Sequence, residues 1–403
     1  GRSMACRDLT GGHMPLGSYL HPEVSYDADR VLFAFCETDS APTDSFAGSP
    51  GHYYHLYEMP LSGGVPSRLT EGAFDDFAPR YLPGGDLMFI STRRLGWHRC
   101  GTPGCENYTL TRSGPDGSMA RPVSFHETQE WDPVVLHDGR IAYTRWDYVD
   151  RHAVYYEQLW WTHPDGGNPS ALYGNNTFNP VGIWEPRPVP GSDLIMATAA
   201  AHHAMTAGSI ILVDPRRGVD GPEPIVRLTP DTPFPESESV VSGTWVATAV
   251  GCGIRTSEEQ ERWPGHCYRS PYPLSEDLFL ASYSFEPLVG EPHANSPTMF
   301  GLYLVDTNGN RELLYRDLAI SSLWPIPIQS RLRPPPVGAE FVPSVSGGDT
   351  GTFLVQNINR SSVALPDERI AALRVVQLVP KSTSGANNPM VGLANASPGK
   401  QVL

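Results

Sequence analysis

Residues 77–91 read FAPRYLPGGDLMFIS and residues 131–145 read WDPVVLHDGRIAYTR. Each is an aromatic residue with a proline close behind, a short apolar stretch, a turn rich in Asp and Gly, and a strand of alternating apolar residues. The phrase recurs as YLHPEVSYDADRVLFAF from Tyr19, WEPRPVPGSDLIMAT from Trp184, SPYPLSEDLFLASYS from Ser270 and SLWPIPIQS from Ser322. Its prolines are read at Pro22, Pro79, Pro133, Pro186, Pro273 and Pro325, with spacings of 57, 54, 53, 87 and 52 residues. A second phrase follows most copies: an aromatic strand, a glycine-containing turn, and a strand ending near Leu-Thr, as in YHLYEMPLSGGVPSRLTEG from Tyr54. Each unit therefore supplies four strands, which cannot bury both faces alone but can do so when stacked radially. The expected fold is all-β, a six-bladed β-propeller; seven blades fit the spacing less well.

The interval from Pro186 to Pro273 is too long for one blade and too short for two, so residues 232–268 read as a loop insertion. The propeller is expected over 1–336. Arg7-Asp8-Leu9-Thr10-Gly11-Gly12 matches the end of the second phrase, so these residues are expected as the outer strand of the blade containing Pro325, closing the ring. Residues 337–403 read as remaining last-blade strands and a short C-terminal extension towards a following domain.

Composition agrees. The 39 glycines and 40 prolines suit many short strands joined by turns. A net charge of −15 argues against a nucleic-acid partner, which would need clustered Lys and Arg. No apolar run is long enough for a transmembrane helix. Two local cysteine pairs, Cys100/Cys105 and Cys252/Cys267, lie in polar loops. A disulfide is the expected reading of each, Cys252–Cys267 above all, and would fit an oxidising compartment.

In an up-and-down blade the first and third turns share one face, and the second connection and the blade-to-blade link share the other. Here the first kind are tight, such as His137-Asp138-Gly139, and that face is expected to be bland. The second kind are long and carry chemistry, so the loop face is the expected site. Arg93, Arg94, Arg145 and Asp147 are candidates for holding an anionic cofactor through bidentate guanidinium contacts; an Arg–Asp network stitching blades together is the alternative. Cys100, His126, His202 and His203 are candidate metal ligands, against hydrogen-bonded loop histidines. Adjacent histidines on an extended strand would point to opposite sides. The repeat-equivalent tryptophans, Trp131, Trp146, Trp160, Trp161 and Trp184, read as inter-blade packing. No G-x-S-x-G, P-loop, dinucleotide glycine pattern, H-E-x-x-H or Cys-x-x-Cys-His occurs.

The phrases STRR with RC and YTL behind it, SFHETQEWDPVVLHDGRIAYTRWDYVDR, AHHA, LVDPRRGVDG and LLYRDLAISSLWPIPI together resemble the hydrazine synthase alpha-subunit-like family of exported bacterial propeller–cytochrome proteins. The resemblance runs from about residue 8 to residue 398. It implies a periplasmic or otherwise exported protein in which a haem-bearing domain follows the propeller. It also implies a zinc ion near that haem, held partly by a propeller cysteine, which by position is Cys100. With no Cys-x-x-Cys-His in the chain, haem c would come from a following domain or a c-type cytochrome partner. Two functions stay open: the propeller part of a haem redox protein, its loop face walling a haem or metal pocket, and a non-catalytic periplasmic docking scaffold.

Overall fold

Proline has no N–H, so a strand that contains one must absorb a missing ladder bond. A computed structural model, describing residues 5–39, 51–98, 105–148, 156–235, 264–289, 294–338, 370, 372–378 and 400–402, shows how this chain does so. In the inner strand of the first blade, His21 and Pro22 lie between the pairs Leu20↔Ala34 and Glu23↔Leu32, so two residues oppose one. Ala78-Pro79, Asp132-Pro133, Glu185-Pro186 and Ser270-Pro271 repeat that β-bulge in the next four blades. In every case the residue before proline has a positive φ, from 49° at His21 to 53° at Glu185, and Trp324 before Pro325 shares it at 53°.

This geometry corrects one position of the repeat. In the fifth copy the bulge proline is Pro271, not Pro273, so the spacings become 85 and then 54 residues. Pro273 instead pairs with Phe279 in the regular ladder.

Five complete four-stranded blades follow one another among the described residues. They are Gly17–Val24, Arg30–Glu37, His55–Pro60 and Ser67–Arg68; Asp76–Tyr81, Leu87–Ser91, Thr109–Ser113 and Arg121–Pro122; Glu130–Val135, Ile141–Trp146, Glu157–Thr162 and Ser170–Tyr173; Gly182–Pro188, Ile195–Ala200, Gly208–Val213 and Ile225–Arg227; and Cys267–Pro273, Leu278–Ser284, Gly301–Asp306 and Arg311–Tyr315. The chain is an all-β propeller. The sixth phrase, within 321–338, is in no strand and carries the sixth positive-φ residue before proline. Among the described residues no helix is long and apolar enough to cross a membrane.

The core consists of layers between blades. Leu32, Ala34 and Leu56 of the first blade pack on Tyr81, Leu87 and Phe89 of the second. Met88, Ile90 and Leu110 meet Ile141 and Tyr143 of the third, and matching layers join third to fourth and fourth to fifth. Glycine lets the outer turns close in. A Cβ on Gly117 would lie 2.0 Å from the Leu69 carbonyl oxygen of the preceding blade, and one on Gly166 would lie 1.9 Å from that of Val123. The repeated Leu-Thr also has a use: Thr70 and Thr229 each accept a backbone N–H of the neighbouring strand, from Leu56 at 3.0 Å and Ile210 at 2.8 Å.

Two terminal expectations change. Residues 7–11 form a turn, not a strand. Asp8 accepts the N–H groups of Thr10 and Gly11 at 2.9 Å each, which curls the segment. Arg7 reaches the carbonyls of Leu61 and Ser62, and Leu9 and Met14 cover the outer side of the first blade. Towards the C-terminus, Val376–Leu378 pairs antiparallel with Lys400–Val402; most of 337–403, and of the insertion 232–268, lies outside the described residues.

Candidate functional site

On the loop face the structure draws several expected residues together. Arg145 Nε donates to Asp147 at 2.9 Å, and its guanidinium lies 4.0 Å from the centre of the Trp160 ring. His126 Nε2 lies 2.7 Å from the Trp146 carbonyl oxygen and 3.6 Å from Asp147. Burial first, and then Arg145, pull this imidazole well below the usual histidine range. His202 Nδ1 shares a 2.6 Å hydrogen bond with Glu157, whose carboxyl burial pushes well above its ordinary value. The His202 ring packs 5.1 Å from Trp146 and stacks on His203 at 4.5 Å. The two histidines therefore do not point to opposite sides: the strand ends at Ala200, and both lie in the turn beyond it.

Arg93 is held apart, bidentate to Asp76 at 3.1 and 2.8 Å within its own blade. Arg94 donates to the Phe125 carbonyl at 3.0 Å. Trp131 packs across the blade boundary on Trp184 at 4.9 Å, and within its own blade on Trp146 at 6.2 Å.

The described residues do not compose the zinc site that the family resemblance implies. No group of three His, Cys, Asp or Glu side chains is disposed for a metal among them. His126 directs Nε2 to a carbonyl, and Asp147 already neutralises Arg145. Cys100 and Cys252 lie outside the described residues.

Each expected disulfide has one partner among the described residues, Cys105 or Cys267, and one outside them, Cys100 or Cys252. Cys105 lies at the edge of the described residues, and its expected partner Cys100 lies outside them. The antiparallel pairing of Trp97 with Glu106 fixes the backbone beside Cys105, and its Sγ donates to the Glu106 carbonyl at 3.4 Å and accepts from Gln129 Nε2 at 3.5 Å. Cys267 is a free thiol, its side chain facing inward among Ala201, Ala207, Leu288, Met299 and Phe300. Burial pushes the Cys267 thiol up to about 12.

The axis of the ring holds a second constellation. The bulge aims the positive-φ residue of each inner strand at the centre. There His21, Asp132, Glu185, Ser270 and Trp324 surround a space of about 10 Å³, room for roughly one water. Glu185 is the hub: it accepts Ser270 Oγ at 2.8 Å, Trp324 Nε1 at 3.1 Å and Arg269 at 3.2 Å, and the Ser270 N–H as well. Its own N–H donates to Asp132 at 3.1 Å. His21 stacks near Trp324 with ring centres 4.5 Å apart, its Nε2 3.7 Å from Asp132. Burial, with Glu185 next, raises the Asp132 carboxyl, while burial and then Arg80 keep His21 neutral at pH 7.

Two residues further along the inner strands the chemistry becomes cationic. Arg187 Nη1 donates to Glu23 at 3.0 Å, Arg331 donates to it at 2.6 Å, and Arg80 Nη1 lies 3.7 Å away. Burial opposes the Glu23 charge, but Arg331, Arg187 and Arg80 outweigh it and hold the carboxyl down at about 2. These residues floor a cavity of about 930 Å³ walled by Tyr26, Tyr272 and the turns at His137 and Gly191. It opens on the tight-turn face. The expectation that this face is bland is thus corrected: the turns are short, and so leave the axial mouth wide. Residues 329–335 cross beside that mouth, Arg331 N–H donating to the Tyr26 carbonyl at 2.8 Å.

No family model and no curated protein matches the chain. Among solved structures its fold is similar to Kuenenia stuttgartiensis hydrazine synthase, at 14% identity and a TM-score of 0.57, covering 80% of this chain and 42% of that one. TolB from Acinetobacter baumannii aligns at 12% identity and a TM-score of 0.41, covering 73% and 53%. A puromycin-hydrolyzing peptidase from Mycobacterium tuberculosis aligns at 14% and 0.39, covering 74% and 38%. The chain spans less than half the length of the hydrazine synthase chain it matches, and what the likeness shows is the propeller fold.

Proposed function

We propose that this chain is the propeller module of an exported, hydrazine-synthase-alpha-like redox protein, and that its loop face seats a c-type cytochrome domain or subunit. The observation that carries this reading is the apolar dress of that face. Leu95, Phe125, Phe178 and Phe285 are each more than half exposed. They come from second connections and blade links of successive blades, so the topology sets them all on one side of the ring. Three phenylalanines and a leucine left in water are what a docking surface needs; the tight-turn face exposes Val65, Met119 and Val219 but no aromatic side chain in those turns. The likeness to less than half of a hydrazine synthase chain supports placing such a module within a larger protein.

A haem, when bound, supplies one-electron chemistry. This chain contributes the seat: the apolar rim, and inside it the Trp131, Trp146 and Tyr148 cluster with His202 beside it. The test is purification from the native host, followed by a reduced-minus-oxidised absorbance spectrum. Haem c bands are expected to co-elute with the wild type and to fall at least about tenfold in a Phe125→Glu, Phe285→Glu variant. A partner without haem would favour the docking-scaffold function instead. Retention of the cytochrome by the double variant would overturn the proposed seat.

A further inference from the structure

The cationic funnel on the tight-turn face has more donors than its protein acceptors use. A guanidinium carries five N–H donors and no acceptor. Arg187, about nine-tenths buried, makes one hydrogen bond, from Nη1 to Glu23. Arg80, buried to 5%, directs Nη1 to the Pro79 carbonyl at 2.8 Å, and its Nε is buried with no partner. The Nε of Arg331 is likewise buried and unpartnered. Buried donors without acceptors are unfavourable unless a ligand completes them.

Charge gives the same result. Three guanidinium groups face one carboxylate, Glu23, so these four groups sum to about +2; Asp132 deeper on the axis offsets part of Arg80, and at the walls Arg216 and Arg333 balance Asp193 and Glu276. They arrive from three directions, Arg80 on the second blade, Arg187 on the fourth and Arg331 on the segment after the fifth, and converge at the axis. The cavity of about 930 Å³ falls in the size range of small-molecule sites, roughly 300–1,000 Å³. Its walls are tyrosine rings and prolines, flat apolar surfaces suited to a short carbon skeleton.

We propose that this funnel binds a small organic dianion, a dicarboxylate or a phosphate monoester, whose two charges the floor neutralises and whose oxygens take the open N–H groups of Arg80 and Arg187. The site lies on the face opposite the proposed cytochrome seat, and it stands or falls separately from that reading.

Titration calorimetry with succinate and with inorganic phosphate, at matched ionic strength, tests it. At least one probe is expected to bind one-to-one, and the preference between them identifies the carboxylate or phosphate source. Arg187→Met is expected to weaken binding about tenfold or more. Glu23→Gln removes the competing carboxylate and is expected to tighten it several-fold. Should Arg187→Met not fold, the Glu23→Gln, Arg187→Met pair removes one charge of each sign and still deletes a guanidinium; its affinity must fall below that of Glu23→Gln. Absence of binding by both probes at about 10 mM, or affinities unchanged by both Arg187→Met and Glu23→Gln, would overturn the proposal.

Discussion

Glu185 is the residue on which the axis of the ring turns, and its removal has a calculable consequence. Its carboxylate joins the fourth blade to Arg269 and Ser270 of the fifth and to Trp324 beyond. Glu185→Ala leaves the Arg269 guanidinium, the Trp324 indole N–H and the Ser270 backbone N–H without their shared acceptor. Breaking a buried charge pair in this way costs about 3–5 kcal/mol. For a chain of 403 residues the unfolding entropy is about 0.8 kcal/mol/K, so Tm is expected to drop by roughly 4–6 °C. Ser270→Ala, which deletes one hydroxyl bond to the same carboxylate, should lose about 1.5 kcal/mol, near 2 °C. Differential scanning calorimetry on the two variants gives the comparison. A Glu185→Ala protein that melts within 1 °C of wild type (about the size of a surface substitution) would refute the hub role.

Three further outcomes follow from individual side chains. Asp132 has a folded pKa raised above its unfolded value, so its native-state contribution is full below the unfolded pKa and is lost as pH rises through the folded one; the stability of wild type relative to Asp132→Asn, from urea melts, should decline between about pH 4 and 7. Arg145→Ala deletes both the Asp147 pair and the Trp160 contact, for an expected loss of about 2–4 kcal/mol by denaturant titration; unchanged stability would instead favour the anionic-cofactor role of that guanidinium. Cys267 should resist a thiol reagent in the native protein and react after denaturation without reductant, as peptide mass spectrometry would show; a mass for a Cys252–Cys267 bridge would contradict the inward-facing thiol.

Much of the architecture was legible because packing repeats it. The proline phrase marks every inner strand, and glycine-rich turns mark the tight ends, so blade order and the two faces could be read along the chain. The choice between Pro271 and Pro273 could not, since both follow an aromatic or small residue at similar distance, and only the two-against-one register separates them. The N-terminal Leu9-Thr10 imitates a strand end, but the Asp8 turn is a local interaction that wins before any ladder forms. The direction of the Cys267 sulfur was not legible either: closeness along the chain says nothing of where a side chain points, and Cys267 packs inward. The axial constellation was hidden differently. Glu23, Arg80, Arg187 and Arg331 become neighbours only when the ring brings distant inner strands to one centre. Polar residues at the second position after the bulge, where a strand beside a closed core would carry apolar ones, were the available signal. On the loop face, residue types were legible but their partners were not. Arg93 finds Asp76 rather than a ligand, because the turn at Thr92–Arg94 lays it back on its own blade.

The bulge before each proline has an implication for how this axis is composed. Six times the backbone takes the same turn, yet the six residues that occupy it are His21, Ala78, Asp132, Glu185, Ser270 and Trp324, all different. The proline and the register fix the conformation, so the side chain at that position is released from any duty to the sheet. The backbone thereby repeats from blade to blade while the chemistry at its centre does not: two acids sit side by side, and an indole and an imidazole face them. On the axis these groups match one another around room for about one water, like the teeth of a key, and substitution in one blade recuts one tooth while leaving the others in place.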